Sequence, residues 1–203
     1  MTTLPTEIEN NRQPDHEINP QFLTRWSPRS FKEQEVPENV LLSLFEAARW
    51  SPSGSNLQPW RFIIARSIEE RAKFHPFIAA GNREWCEKAP VLAVLVSHTK
   101  TANGNTNPSH AFDAGTSWGY LALEAANQGL ITHAMGGFDR QQAREALGVP
   151  EDYDIHAVIA IGYRGPIDAL ADKFQEREVP SNRQPLDSFL FAAEFGKTLK
   201  NEK

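Results

Sequence analysis

Three short stretches, far apart in the chain, gather side chains able to hold an anion. They are Arg25-Trp26-Ser27-Pro28-Arg29-Ser30-Phe31, Pro52-Ser53-Gly54-Ser55-Asn56-Leu57-Gln58-Pro59-Trp60 and Arg177-Glu178-Val179-Pro180-Ser181-Asn182-Arg183-Gln184-Pro185-Leu186. Guanidinium groups beside hydroxyls and amides are planar donors that pair with anionic oxygens, of a ligand or of an acidic partner surface. Taken singly, an arginine in a loop is an ordinary solvated charge and a Ser/Gly/Asn run an ordinary turn, so no stretch alone assigns a function. Other chemistries lack their residues. No GxGxxG follows a strand-like run, no GxxxxGK[ST] occurs, and no GxSxG elbow presents a serine. The six histidines, at 16, 75, 98, 110, 133 and 156, never fall three or four apart, so no helical metal pair forms and no metal is expected. The lone Cys86 lies in Glu84-Trp85-Cys86-Glu87, an acidic setting that raises a thiol pKa and blunts nucleophilicity.

The chain of 203 residues is read as one domain. Lys plus Arg total 21 against 26 Asp plus Glu, a formal charge of −5, which argues against nucleic acid as the partner. The longest apolar run, residues 89–96, is far shorter than the roughly 20 residues that span a bilayer, and residues 1–20 are polar and acidic without a signal-like core. No membrane association is expected, and with a single cysteine a reducing cytoplasm is the expected home.

Positioning those stretches requires a layered scaffold. Residues 1–19 show no apolar periodicity and read as a flexible N-terminal arm, with the folded domain spanning 20–203. Val40, Leu41, Leu44, Phe45, Ala47 and Ala48 recur at helical spacing behind Pro37, predicting a helix over 37–50 that stops at Ser51-Pro52. Strands are predicted over 61–65, 91–97, 131–135 and 157–163. Helical segments are expected over 68–80, with Pro76 as a kink or stop, over 110–127, and over 139–147 before Gly148. Residues 167–174 form an amphipathic turn pair, and 186–195 a last helix or extended arm. Helix 110–127 is lined with Ala111, Ala114, Gly115, Gly119, Ala122, Ala125 and Ala126, small residues that suit close packing. Trp118, Tyr120, Phe138 and Phe174 are read as core before pocket. The alternation implies an α/β or α+β layered domain.

In this order the stretches resemble the nitroreductase family. The matching features are the Arg-x-Ser-x-Arg-x-Phe opening, the Ala47-Ala48 helix leading into Pro-Ser-Gly-x-Asn-x-Gln-Pro-Trp, and Asp113 heading a small-residue helix that ends Glu124-Ala125-Ala126-Asn127-Gln128-Gly129-Leu130. Then come Gly136-Gly137-Phe138-Asp139, Ile159-Ala160-Ile161-Gly162-Tyr163 and the Arg-Glu-x-Pro-Ser-x-Arg-x-Pro-Leu close. The resemblance spans residues 22–195.

It implies an α+β fold: a three-layer α/β/α sandwich on a mixed, mainly antiparallel sheet, assembled as an intertwined homodimer with FMN at the subunit interface and the segment from Leu186 embracing the partner. It implies ping-pong hydride transfer from NADH or NADPH through flavin N5 to a small electrophilic acceptor of nitroaromatic, quinone or enone type, with no catalytic side chain beyond the flavin. The implied cofactor residues are Arg25, Trp26, Ser27, Arg29, Pro52, Ser53, Gly54, Asn56, Gln58, Met135, Gly136, Gly137 and Arg183. Arg25 and Arg183 would hold the phosphate, with Ser27 near it or the ribityl chain. Arg29 would face the pyrimidine end, Pro52, Ser53 and Asn56 the ribityl chain and ring edge, and the Gly136-Gly137 backbone N5. Some relatives carry an acidic residue at the place of Gly136 and a lysine at that of Ser181. Having neither, this chain either holds flavin less tightly or relies on its first-arm residues to compensate. Dehalogenating or flavin-fragmenting relatives, and a ligand-binding module without turnover, are the alternatives.

Overall fold

A computed structural model describes residues 4–199. Four strands, β1 (Trp60–Ala65), β2 (Val91–His98), β3 (Ile131–Met135) and β4 (Tyr153–Gly162), form one sheet in the order β1-β2-β4-β3. All three pairings are antiparallel, so no parallel pair of the mixed sheet implied by resemblance lies within the described residues. The helices are α1 (Thr6–Asn11), α2 (Gln21–Thr24), α3 (Glu38–Arg49), α4 (Ile68–Ala72), α5 (Ala80–Cys86), α6 (His110–Asn127), α7 (Arg140–Leu147) and α8 (Asp172–Gln175).

Strand alternation sorts the sheet into two cores. Val91, Ala93 and Leu95 of β2 join Ile159 and Ile161 of β4 against α3, through Leu41, Leu44 and Ala48, and against α6, through Ala114, Leu121 and Ala125. Leu92, Val94 and Val96 join Val158 and Ala160 on the opposite face, beneath Trp85 and Cys86 of α5, Ala143 of α7 and Phe174 of α8. The result is three layers, helices on both faces of a sheet whose central strands are apolar on both sides because both are covered. Phe138 and Phe174 belong to the core beneath α5, Trp118 packs against the core under α3 and α6, and Tyr120 is exposed.

Four local differences from the sequence reading have physical causes. The segment expected to be helical over 68–80 breaks into α4 and a 3-10 turn at His75–Phe77, as Pro76 dictates. A further helix, α5, follows; it buries only the adjacent Trp85 and Cys86 and so carries no helical periodicity to read. β4 begins at Tyr153, four residues early, because its first residues, of mixed polarity, pair with the end of β2 across a bulge that leaves His156 unpaired between Ala157 and Ile155. Near the end, a 3-10 turn (Leu186–Ser188) precedes a bridge between Phe191 and Thr198, with Phe189 61% and Phe195 95% exposed.

The first arm is the larger correction. Instead of a flexible tail, α1 docks on the domain with Ile8 buried. Glu7 pairs with Arg164, whose guanidinium lies 4.9 Å from the Trp26 ring centroid. α1 itself buries a single apolar residue, too little to show as periodicity. Residues 1–3 and 200–203 of the expected arm and domain lie outside the described residues.

Candidate functional site

Burial alternates along residues 25–30: Trp26, Pro28 and Ser30 are buried, while Arg25, Ser27 and Arg29 are half-buried. This is the two-residue period of extended chain, and it explains the Arg-x-Ser-x-Arg spacing as three polar side chains on one side of an anchored ribbon. The anchoring is dense. Ser30 O accepts from Gly165 N at 2.8 Å and Lys32 N donates to Tyr163 O at 2.9 Å. The buried Glu178 carboxylate accepts from the backbone N–H groups of Arg29 and Ser30 at 2.8–2.9 Å, tying this ribbon to the 177–186 stretch. His133 on β3 donates through Nδ1 to Pro28 O at 3.0 Å.

Arg25 and Arg183 are thereby brought together, and a residue that the sequence reading missed, Arg12, joins them. Arg12 is 7% exposed. Its Nε donates to Ser181 O at 3.1 Å and its Nη1 to Leu23 O at 2.6 Å and Arg25 O at 2.8 Å, pinning three segments. Burial first, then Arg183 and Arg25, pull its pKa down to about 10. Burial and then Arg183 lower that of Arg25 as well; for Arg29 the causes are burial and Arg177, with Glu178 opposing. Arg25 reaches Ser27 Oγ at 3.4 Å, and Arg183 bonds within its own loop to Ser181 and Asn182. None of the ion pairs among the described residues includes Arg12, Arg25, Arg29 or Arg183. Gathering Arg12, Arg25 and Arg183 with no ion-paired carboxylate is unfavourable, and an anion among them would relieve the repulsion.

Gly136 and Gly137 are exposed just beyond β3, the strand whose His133 buttresses Pro28. A Cβ on Gly136 would meet open space, whereas one on Gly137 would stand 2.8 Å from Asn82 Nδ2. Two expected residues turn inward: Met135 lies in the core and Trp26 packs beneath Arg164, leaving only their main chains for a ligand.

The loop 52–58 lies against the start of α6. Gly54 N donates to Asp113 Oδ2 at 3.2 Å, and a Cβ on Gly54 would stand 2.9 Å from Ser109 Oγ, so glycine permits the close approach. Ser53 Oγ accepts from Gln58 N at 3.1 Å, and Gln58 Nε2 donates to Asn56 Oδ1 at 2.9 Å. Ser55, Asn56 and Gln58 have φ of 50°, 56° and 46°, positive-φ non-glycine residues interrupted by Leu57 at −70°, a conformation that costs free energy. Pro52, Gly54 and Asn56 are exposed. No hydrogen bond among the described residues joins this loop to the arginine cluster.

Neighbouring polar groups offer no rival centre. Ser97 Oγ meets His110 Nδ1 at 2.7 Å and His156 Nε2 at 2.6 Å, with His110 3.7 Å from Asp154, but Ser97 is fully buried, so this triad-like set can only lock the β2 bulge to α6. No group of three His, Cys, Asp or Glu residues among the described residues is placed to hold a metal. Cys86 is fully buried, and burial, ahead of Glu87, raises its thiol pKa to about 12.

The Nitroreductase family model matches residues 23–84 and 78–163. The chain belongs to the nitroreductase family. A solved structure described as an oxidoreductase containing FMN is 37% identical, with 98% of this chain and all of that chain covered at a TM-score of 0.89. An FMN-dependent nitroreductase from Clostridium difficile is 25% identical over 70% of this chain and 84% of its own, with a TM-score of 0.61. An NADH dehydrogenase of Thermus thermophilus is 29% identical, covering 81% of this chain and 90% of its own.

Proposed function

We propose that the protein is an FMN-dependent oxidoreductase that draws reducing equivalents from NADH or NADPH and passes them, in ping-pong order, to a small electrophilic acceptor of nitroaromatic, quinone or enone type. The observation that carries this reading is the gathering of buried Arg12, half-buried Arg25 and exposed Arg183, none with an acidic partner among the described residues. Such a group fits a dianionic phosphate, which guanidinium donors bind through charge-assisted hydrogen bonds. Bound FMN supplies the redox chemistry, hydride transfer at its N5.

The chain's own residues hold and shield. Arg25 and Arg183 take the phosphate with Ser27 beside them, and Arg29 presents a positive group to the pyrimidine end, where it stabilises negative charge. The open backbone at Gly136 and Gly137 admits close approach to the ring. No side chain acts as nucleophile or general base in this reading.

The site is completed in a homodimer. Loop 52–58 carries Pro52, Ser53, Gly54, Asn56 and Gln58 but has no hydrogen bond to the arginine cluster among the described residues, and it serves the cluster of a second copy. Phe112 of α6 and Phe195 of the last segment, 79% and 95% exposed, supply apolar surface for that partner, which the segment from Leu186 embraces. A reducing cytoplasm suits the single buried thiol of Cys86. Arg25→Ala and Arg183→Ala are each expected to weaken FMN binding by about tenfold or more, the loss of one charge-assisted pair. Unchanged affinity in both variants refutes the phosphate assignment, and a monomer by light scattering that still holds FMN refutes the shared site.

A further inference from the structure

We propose that Arg12, carried just beyond α1, is a third cation of the phosphate subsite and makes the protein select phosphorylated flavin over riboflavin. The inference rests on the FMN reading above and adds to it a residue from the first arm. Three observations carry it. Arg12 is fixed, because Nε and Nη1 spend their protons on the carbonyls of Ser181, Leu23 and Arg25, two of these in the segments that bear Arg25 and Arg183. It keeps one donor nitrogen in hand: Nη2 has no hydrogen-bond partner among the described residues, while Arg12 and Arg183 share the wall of a groove of about 770 Å³. It is uncompensated: it joins no ion pair among the described residues, although Asp15 lines the same groove, and Arg183 and Arg25 lower its pKa further once burial has done so. A side chain serving only as a strut gains nothing from standing among like charges; a cation at an anion subsite gains the attraction of the ligand. Docking of α1, through Ile8 and the Glu7–Arg164 pair, is what delivers it.

The test titrates full-length apo-protein with FMN and with riboflavin, which lacks the phosphate, following flavin fluorescence. Arg12→Gln is expected to weaken FMN by about tenfold or more, with riboflavin changed by less than about twofold, and Arg12→Lys to keep most of the preference by keeping the charge. Equal losses for both flavins, the mark of a strut alone, overturn the proposal, as does an unchanged FMN affinity. If Arg12→Gln fails to fold, the wild type still decides. FMN then slows tryptic cleavage after Arg12 and riboflavin does not; equal protection by the two, or none by FMN, overturns the proposal. A wild type that binds no FMN at all sinks the cofactor reading itself, a separate result.

Discussion

Acidification should loosen the inner wall of the site through one residue. The His133 ring lies 4.5 Å from that of Trp85 and donates to Pro28 O, directly behind the ribbon that carries Arg25, Ser27 and Arg29. Burial, with smaller contributions from Arg29 and Arg25, pushes its pKa from 6.5 down to about 4 against the opposing hydrogen bonds to Pro28 and Ser27. The unfolded chain therefore takes up a proton near pH 6.5, while the folded chain refuses it until about pH 4. The stability tied to this group is intact above pH 6.5, falls as pH drops from 6.5 to 4, and changes no further below. Two and a half pH units at about 1.4 kcal/mol each amount to roughly 3 kcal/mol. Urea unfolding of the wild type and of His133→Gln, which can still donate to Pro28 O, measured from pH 7.5 to pH 4, isolates the contribution as the difference between the two curves. His75 and His156, also lowered chiefly by burial, act in the same sense in both proteins and cancel. Parallel stability curves would refute the buried-neutral assignment of His133.

Two further outcomes follow from packing. Gly162→Ala places a Cβ 2.5 Å from Pro90 Cδ and 3.2 Å from Phe31 Cδ1, rigid neighbours at the end of β4, and should cost roughly 1–3 kcal/mol in urea unfolding; a neutral result contradicts the tight passage there. Cys86, with its thiol pKa raised to about 12, should resist a disulfide reagent at pH 8 in the folded protein and react fully in urea, and rapid reaction of the native thiol would show that the core opens at α5.

What could be read in the sequence was what repeats or punctuates. β2 is a continuous apolar run covered on both faces, α3 shows buried Leu41, Leu44 and Ala48 at helical spacing, and Gly148 closes α7 in the left-handed conformation that only a glycine adopts cheaply. The Arg-x-Ser-x-Arg spacing was visible too, though its meaning as alternating burial needed the anchors at Tyr163, Gly165 and Glu178, all far along the chain. Docking of α1 was not legible, because it depends on Glu7 and Arg12 each meeting a partner more than ten residues away, and on a single buried Ile8. Nor were the positive φ values at Ser55, Asn56 and Gln58, since two of those residue types give no local reason for them and the loop's anchor, Asp113, lies far along the chain. Arg12 illustrates the general limit: a lone arginine acquires chemistry only from the charges the fold sets beside it.

In the proposed function the uncompensated arginine group holds the phosphate of a flavin that a nicotinamide can reduce. The most direct measurement is the visible absorbance spectrum of the purified protein supplied with FMN, recorded anaerobically before and after NADH and then NADPH. A protein-bound flavin band that bleaches with at least one donor is expected. A protein that takes up no FMN, or whose bound FMN stays oxidised with both donors, would contradict it.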